Sequence, residues 1–231
     1  MKTLLAIAAL LTFTAGVAGT SLKVRKVKTG AYDRIMITGD FSVKFVEGRE
    51  GEIFLEGDRI DINHLVVYTD GNVLRIYPKQ NFRAWCGDME SLTVVIPIES
   101  ISEVVYAGTG KIESHVKIKA DRFKTQINGS AQVSLHLETN ETEAMLTGSG
   151  KLKLSGSTGK FISSVTGDGG LEAYAFHSAA TEAIVIGTGN SQISSSETLN
   201  AQVAGSGQIS YIGNPKIEKT IIGSGLIAAR Q

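Results

Sequence analysis

From residue 104 onward, apolar residues return at alternate positions on both sides of a recurring glycine turn. The turns begin at Gly108, Gly129, Gly148, Gly167, Gly187, Gly205 and Gly223, with spacings of 21, 19, 19, 20, 18 and 18 residues. Two positions before each turn stand Tyr106, Ile127, Leu146, Val165, Val185, Val203 and Ile221. Four positions after it stand Ile112, Val133, Leu152, Leu171, Ile209 and Ile227. The fifth repeat is read as carrying one extra residue near Asn190, which brings Ile193 into that column. Six positions before the turn, Phe123, Phe161 and Leu199 alternate with Thr142 and Thr181. Polar residues such as Lys111, Glu113, Gln132 and Lys151 fill the places between.

Period-two alternation predicts half-buried strands, and its repetition in register predicts a solenoid whose rungs bury their apolar rows only by stacking. The expected fold is all-β, a right-handed parallel β-helix-like solenoid. With rungs about 4.8 Å apart, seven turns give a stack roughly 30 Å tall. At the corners, Gly108 and Gly110, Gly129, Gly148 and Gly150, Gly167 and Gly169, Gly187 and Gly189, Gly205 and Gly207, and Gly223 and Gly225 are read as structural glycines. A corner stacked on another corner leaves little room for a Cβ. A phosphate cradle is the other use of such glycines, but it occurs once and opens a helix. Here the motif occurs seven times with no helix after it.

Residues 30–100 lack this motif but remain β-rich. Arg34–Thr38 and Phe41–Phe45, separated by Gly39-Asp40, predict a hairpin. Leu65–Thr69 and Val73–Tyr77 flank Asp70-Gly71-Asn72 and predict a second. Glu52–Glu56 alternates, and Leu92–Ile96 is expected to end at Pro97. This part is read as a β layer, 30–100, that starts and caps a solenoid formed by 101–231, although 30–225 can also be taken as one continuous domain. Before it, 1–18 reads as a signal peptide: Lys2, an apolar run too short to span a bilayer, then small residues at Gly16-Val17-Ala18. A basic arm, 19–29, follows.

Composition narrows the function classes. Lysine plus arginine and aspartate plus glutamate are 23 each, which argues against nucleic acid as a partner. Cys86 is the only cysteine, so no internal disulfide is expected. No stretch of the mature chain is apolar enough for a transmembrane helix. No nucleophile-elbow or zinc-protease motif occurs, and no cofactor is expected.

Three segments carry candidate chemistry. His115 and His136 fall seven positions after their turn glycines and, if the register holds, stack as a weak metal candidate. Thr166-Gly-Asp-Gly-Gly170 has the look of a calcium-repeat fragment, but its aspartate occurs in one turn only. Phe82, Arg83 and Trp85 form a possible interaction loop, Trp85 being the only tryptophan.

The openings Tyr32-Asp-Arg-Ile and Gly39-Asp-Phe-Ser-Val, the strand Leu92-Thr-Val-Val-Ile-Pro, the ladder of turns and the closing Gly213-Asn-Pro-Lys together resemble the bacterial head GIN domain family. Its members carry the label "putative autotransporter adhesin", and the resemblance covers about residues 30–225. It implies a β-helical fold and an envelope location, with no catalytic residues to carry over. The label also implies an outer-membrane barrel; only six residues follow the last turn, so the expectation does not extend to autotransport. The expected function is therefore a non-catalytic exported protein of the periplasm, outer-membrane surface or extracellular space. It would act as an adhesin-like module on a surface protein or glycan, with homo-oligomers possible through the uncapped last rung. The alternative is a carbohydrate-binding or polysaccharide-cleaving β-helix.

Overall fold

A computed structural model describes residues 23–79, 89 and 91–230. It is a β-solenoid of about seven turns. Five long strands form its body: β9 (Lys111–Gly129), β10 (Gln132–Gly148), β11 (Lys151–Gly167), β12 (Gly170–Gly187) and β13 (Asn190–Gly205). They stack in parallel, in that order. Pairing is interrupted near the middle of each, at Asn140 and Gly159 for example, where the chain turns a second corner opposite the glycine corner. The two halves of every rung send alternate residues into one core.

The core rows follow the expected columns. Val133, Leu152 and Leu171 lie in register, as do Ile127, Leu146, Val165, Val185 and Val203. The Phe–Thr alternation has a packing reason. Phe123, Thr142, Phe161, Thr181 and Leu199 are direct neighbours up the stack, so each phenyl ring lies between small side chains. Phe161 meets Phe176 edge-on from the other half of its sheet pair, with ring centres 5.2 Å apart. The threonine hydroxyls of this row are not orphaned. Thr142 pairs with Thr139 at 2.7 Å, and Thr181 pairs with Ser178. Thr139, Thr158, Ser178 and Ser195 thus form a hydroxyl column inside the second corner. There each hydroxyl bridges the bend locally, as Thr158 does to the Lys160 carbonyl.

The fifth repeat has no extra residue at Asn190. Asn190 sits level with Gly170, and Ser191 is level with Leu171 and Ile209. Ile193 belongs to the next inner row, beside Ala173. The irregularity lies instead in β12 between Ala173 and His177, where the chain bulges. A bulge is invisible to fixed-offset alignment because it preserves the glycine ladder on either side.

The N-terminal part is interleaved rather than sequential. Its strands are β1 (Lys23–Lys28), β2 (Arg34–Gly39), β3 (Ser42–Glu47), β4 (Glu52–Gly57), β5 (Leu65–Asp70), β6 (Val73–Pro78), β7 (Thr93–Ile98) and β8 (Glu103–Gly108). A six-residue helix, α1 (Arg59–His64), lies between β4 and β5. The first predicted hairpin does not form. β2 pairs in parallel with β6 and β8, and β3 in parallel with β7 and β9. Gly39-Asp40-Phe41 is instead another corner of the ladder, with Gly39 level with Gly108. Gly-Asp between two alternating segments fits a hairpin and a solenoid corner equally well; the long-range partners 93–98 and 103–108 decide between them. The second hairpin does form, β5 and β6 being antiparallel around Gly71 at φ 58°. β7 runs one residue past Pro97, in a stretch that β4 does not pair. On one side of the core the stack ends in antiparallel β4 and β1, on the other in the β5–β6 hairpin.

At the far end the last rungs are split into β14 (Gln208–Ile212), β15 (Lys216–Gly223) and β16 (Leu226–Ala229). β15 pairs only with β13, and β16 only with β14. Ile221, Ile222 and Leu226 are exposed there. Lys219 stands in the row occupied below by Ala144, Ser163, Ala183 and Ala201. Its Nζ donates to the Ile227 carbonyl at 3.2 Å and lies over the Tyr211 ring.

Candidate functional site

The glycine corners are spent on stacking. Gly148 has φ 114°, and a Cβ there would lie 2.5 Å from the Gly129 carbonyl oxygen of the rung below. Gly167 repeats this over Gly148 at 2.7 Å. The amides a phosphate would need are already used. Ser149 and Gly150 N–H both donate to Gly129 O, and Asp168 and Gly169 N–H both donate to Gly148 O. A corner whose amides point down the stack has nothing to offer an anion.

The corner at Gly39 is the most elaborate. Tyr106 is buried, and its hydroxyl donates to Gly39 O at 2.7 Å and accepts from Gly110 N–H at 3.0 Å. Burial pushes this phenol up to about 12, with the backbone hydrogen bonds at Gly110 and Phe41 pulling the other way. Asp40 accepts from the amide and the hydroxyl of Thr109. Asp40, Phe41, Thr109, Lys111 and Gln132 line a shallow depression of about 320 Å³. A second buried phenol, Tyr32, donates to Pro97 O at 2.6 Å; burial and then the Glu50 charge hold it well above the usual tyrosine range.

The sequence candidates fare unequally. His115 and His136 are not brought together. A bulge in β9, held by Ser114 Oγ donating to Val116 O, places Lys117 rather than His115 beside His136. The cationic neighbour opposes a metal there. His136 Nδ1 instead lies 3.0 Å from Ser155 Oγ. Among the described residues no group of three His, Cys, Asp or Glu side chains could hold a metal, Asp168 included. Phe82, Arg83, Trp85 and Cys86 lie outside the described residues, as does the predicted signal peptide. No described helix is long and apolar enough to cross a membrane.

The outer faces are organised by rung. β10 presents Glu138, Glu141 and Glu143, each level with a cation of β9: Lys119, Arg122 and Lys124. Arg122 reaches Glu141 at 3.5 Å and Lys124 reaches Glu143 at 3.4 Å. Glu138 takes a 3.0 Å bond from Lys117, which holds its carboxyl below the usual range. β11 is basic again, through Lys151, Lys153 and Lys160, and β12 acidic, through Glu172 and Glu182. Sign therefore alternates from β9 to β12.

Beside this ladder runs a face without charge. One column reads Met36, Val105, Gln126, Met145, Ser164, Ile184, Gln202 and Thr220. Its neighbour reads Thr38, Ala107, Asn128, Thr147, Thr166, Ile186, Ala204 and Ile222. From Val105 and Ala107 onward, these columns stand three residues and one residue before successive turn glycines. The signal was therefore present in the sequence, in offsets that mark outward positions.

These features define a parallel β-solenoid with a β-rich N-terminal cap and flat, differently charged outer faces. The chain belongs to the family described as "Putative auto-transporter adhesin, head GIN domain", which matches residues 31–215. It is similar in fold to a "putative adhesin" from Bacteroides fragilis, at 20% identity, covering 92% of this chain and 98% of that one, with a TM-score of 0.83. A "putative adhesin" from Parabacteroides distasonis shares 18% identity over 91% and 98% of the two chains, with a TM-score of 0.73. A "putative lipid binding protein" from the same species shares 21% identity over 93% and 98%, with a TM-score of 0.70. No curated protein matches this chain.

Proposed function

We propose that this protein is a non-catalytic, adhesin-like module, exported through its N-terminal leader, that engages a surface protein or glycan outside the cytoplasm through its outer faces. The observation that carries this reading is the distribution of its polar groups. Charged side chains of β9 pair with those of the next rung, β10, as in Lys117–Glu138 and Lys124–Glu143. The strongly shifted tyrosines, Tyr32 and Tyr106, are buried and bonded to backbone. Flat, rigid faces suit broad contact rather than chemistry on a small substrate, for which acid and base groups must converge. Family membership supports the same direction.

The Phe82–Trp85 loop is proposed as an additional contact, since aromatic and arginine side chains are the usual anchors of interfaces. Beads coated with the mature protein are expected to adhere to bacterial or host cell surfaces, and beads coated with heat-unfolded protein are not. Equal adhesion by both coatings would sink the proposal. Trp85→Ala on a glycan array and in the bead assay separates the loop from the solenoid faces: unchanged binding in both would remove the loop from the interface.

A further inference from the structure

Among the described residues, the two uncharged columns stand out on a surface that is otherwise charged. They cover sixteen positions on eight successive rungs without one ionisable side chain. The next column along the same strands reads Arg34, Glu103, Lys124, Glu143, Ile162, Glu182, Asn200 and Glu218. Charge is thus plentiful on this sheet and stops at a sharp line. On the opposite sheet, by contrast, the outward positions of β9 and β11 that follow the turn carry Lys111, Glu113, Lys151 and Lys153.

From the first rung to the eighth the strip is about 34 Å long, and its columns are about 7 Å apart. Its footprint is on the order of 400 Å², half of the roughly 800 Å² per partner that a stable protein interface buries. It is also flat, so a small molecule would find no enclosure. Length without depth fits a polymer. The repeat fits one too, because each rung presents equivalent positions about 4.8 Å further on, and weak contacts then add along the chain.

The side chains indicate which polymer. Gln126, Asn128, Thr147 and Thr166 offer neutral donors and acceptors of the kind that match sugar hydroxyls. Ile186, 47% exposed, and Ile222, 70% exposed, offer apolar surface for sugar C–H faces. The bordering row holds four glutamates against two cations, which disfavours a polyanion. Beyond Met36 the first column continues through Arg75 to Tyr68. There Tyr68 and Tyr77 form an exposed edge-to-face pair with ring centres 6.1 Å apart. Such rings present flat surface to a sugar at one end of the strip.

We infer that this neutral strip is the binding face for an uncharged polysaccharide laid along the stack. The inference rests on the surface-interaction reading above and names its ligand class.

Affinity electrophoresis of the full chain tests it, in gels containing mannan, dextran, β-1,3-glucan or, as the charged control, polygalacturonate. Two charge-matched variants accompany the wild type: Thr147→Glu with Thr166→Glu on the strip, and Gln132→Glu with Gln208→Glu on the opposite sheet. Circular dichroism and thermal midpoints establish that both fold. At least one neutral polysaccharide is expected to retard the wild type and the opposite-sheet variant alike. The strip variant should bind about ten-fold more weakly or worse. Absence of retardation in every neutral gel overturns the inference. So does equal retardation of all three proteins, or stronger retention by polygalacturonate. A wild-type dimer that the strip variant breaks, without any retention by polysaccharide, would assign the strip to a second copy instead. Bead adhesion to periodate-treated cells separates the two proposals: adhesion that survives both glycan oxidation and the strip substitutions sinks the glycan inference and leaves the adhesin reading standing.

Discussion

At the scale of single residues, the ladder depends on positions where a methyl group has nowhere to go. Gly148→Ala would force an L-residue to φ 114° and drive its Cβ against Gly129 O. Strain and overpacking together should cost about 3 kcal/mol. Ser149→Ala, one residue away and exposed, should stay within about 0.5 kcal/mol. Urea midpoints of the two variants check the contrast. Tyr106→Phe removes the hydroxyl that joins Gly39 O to Gly110 N, and should cost about 1–2 kcal/mol. Tyr106 also makes stability depend on pH in a defined direction. Its folded pKa is raised, so its contribution is complete below the ordinary tyrosine value near 10 and is lost as pH rises toward about 12. The unfolded chain ionises first in that window. Denaturation midpoints measured from pH 9 to 12 should therefore fall less steeply in Tyr106→Phe than in the wild type.

At the scale of elements, much of the fold was legible because strand period and glycine spacing point the same way. The seven later corners, the apolar columns and the hairpin at Gly71 all follow from local pattern. What escaped was nonlocal. Gly39 is a corner only because Gly108 stacks on it, and no pattern within residues 30–50 contains that fact. Ser191 escaped because it occupies an apolar row as a buried hydroxyl with no hydrogen-bond partner. The bulge at Ser114–Val116 moved His115 out of line, so the histidine pair dissolved while every glycine stayed in register. Of the surface, the uncharged columns were readable at fixed offsets, but their meaning needed knowledge of which offsets point outward. The charged columns support an element-level prediction. Replacing Lys119, Arg122 and Lys124 of β9 by glutamate would set three carboxylates against Glu138, Glu141 and Glu143. The thermal midpoint should fall at about 0.05 M salt and recover substantially near 0.5 M, as screening shortens the reach of exposed charges. A fall that salt does not relieve would mean that packing, not charge, was disturbed.

For the whole molecule, the two ends differ. At the start, antiparallel β1 and β4 and the β5–β6 hairpin close the two sides of the stack. At the finish, β15 and β16 are parallel strands that each keep an unpaired edge, and Ile221, Ile222 and Leu226 are exposed beside it. Lys219 stands in an inward row at this end, the kind of placement by which edge strands avoid pairing with other chains. Lys219→Val should therefore promote end-to-end association, seen as a mass that grows with concentration in light scattering, whereas Lys216→Val, on the outward side, should not.

The alternation of Phe123, Thr142, Phe161 and Thr181, together with the alternation of charge, carries one more consequence. Neighbouring rungs are complementary rather than equivalent, so the interchangeable module is a pair of rungs, close to forty residues. Excising residues 132–150 would bring Phe123 onto Phe161, Arg122 onto Lys160 and Lys111 onto Lys151, and should leave an aggregating protein. Excising residues 132–169 would set Phe123 on Thr181 and Lys124 on Glu182, and should leave a shorter soluble one. Lineages of this gene should accordingly lengthen or shorten by even numbers of rungs.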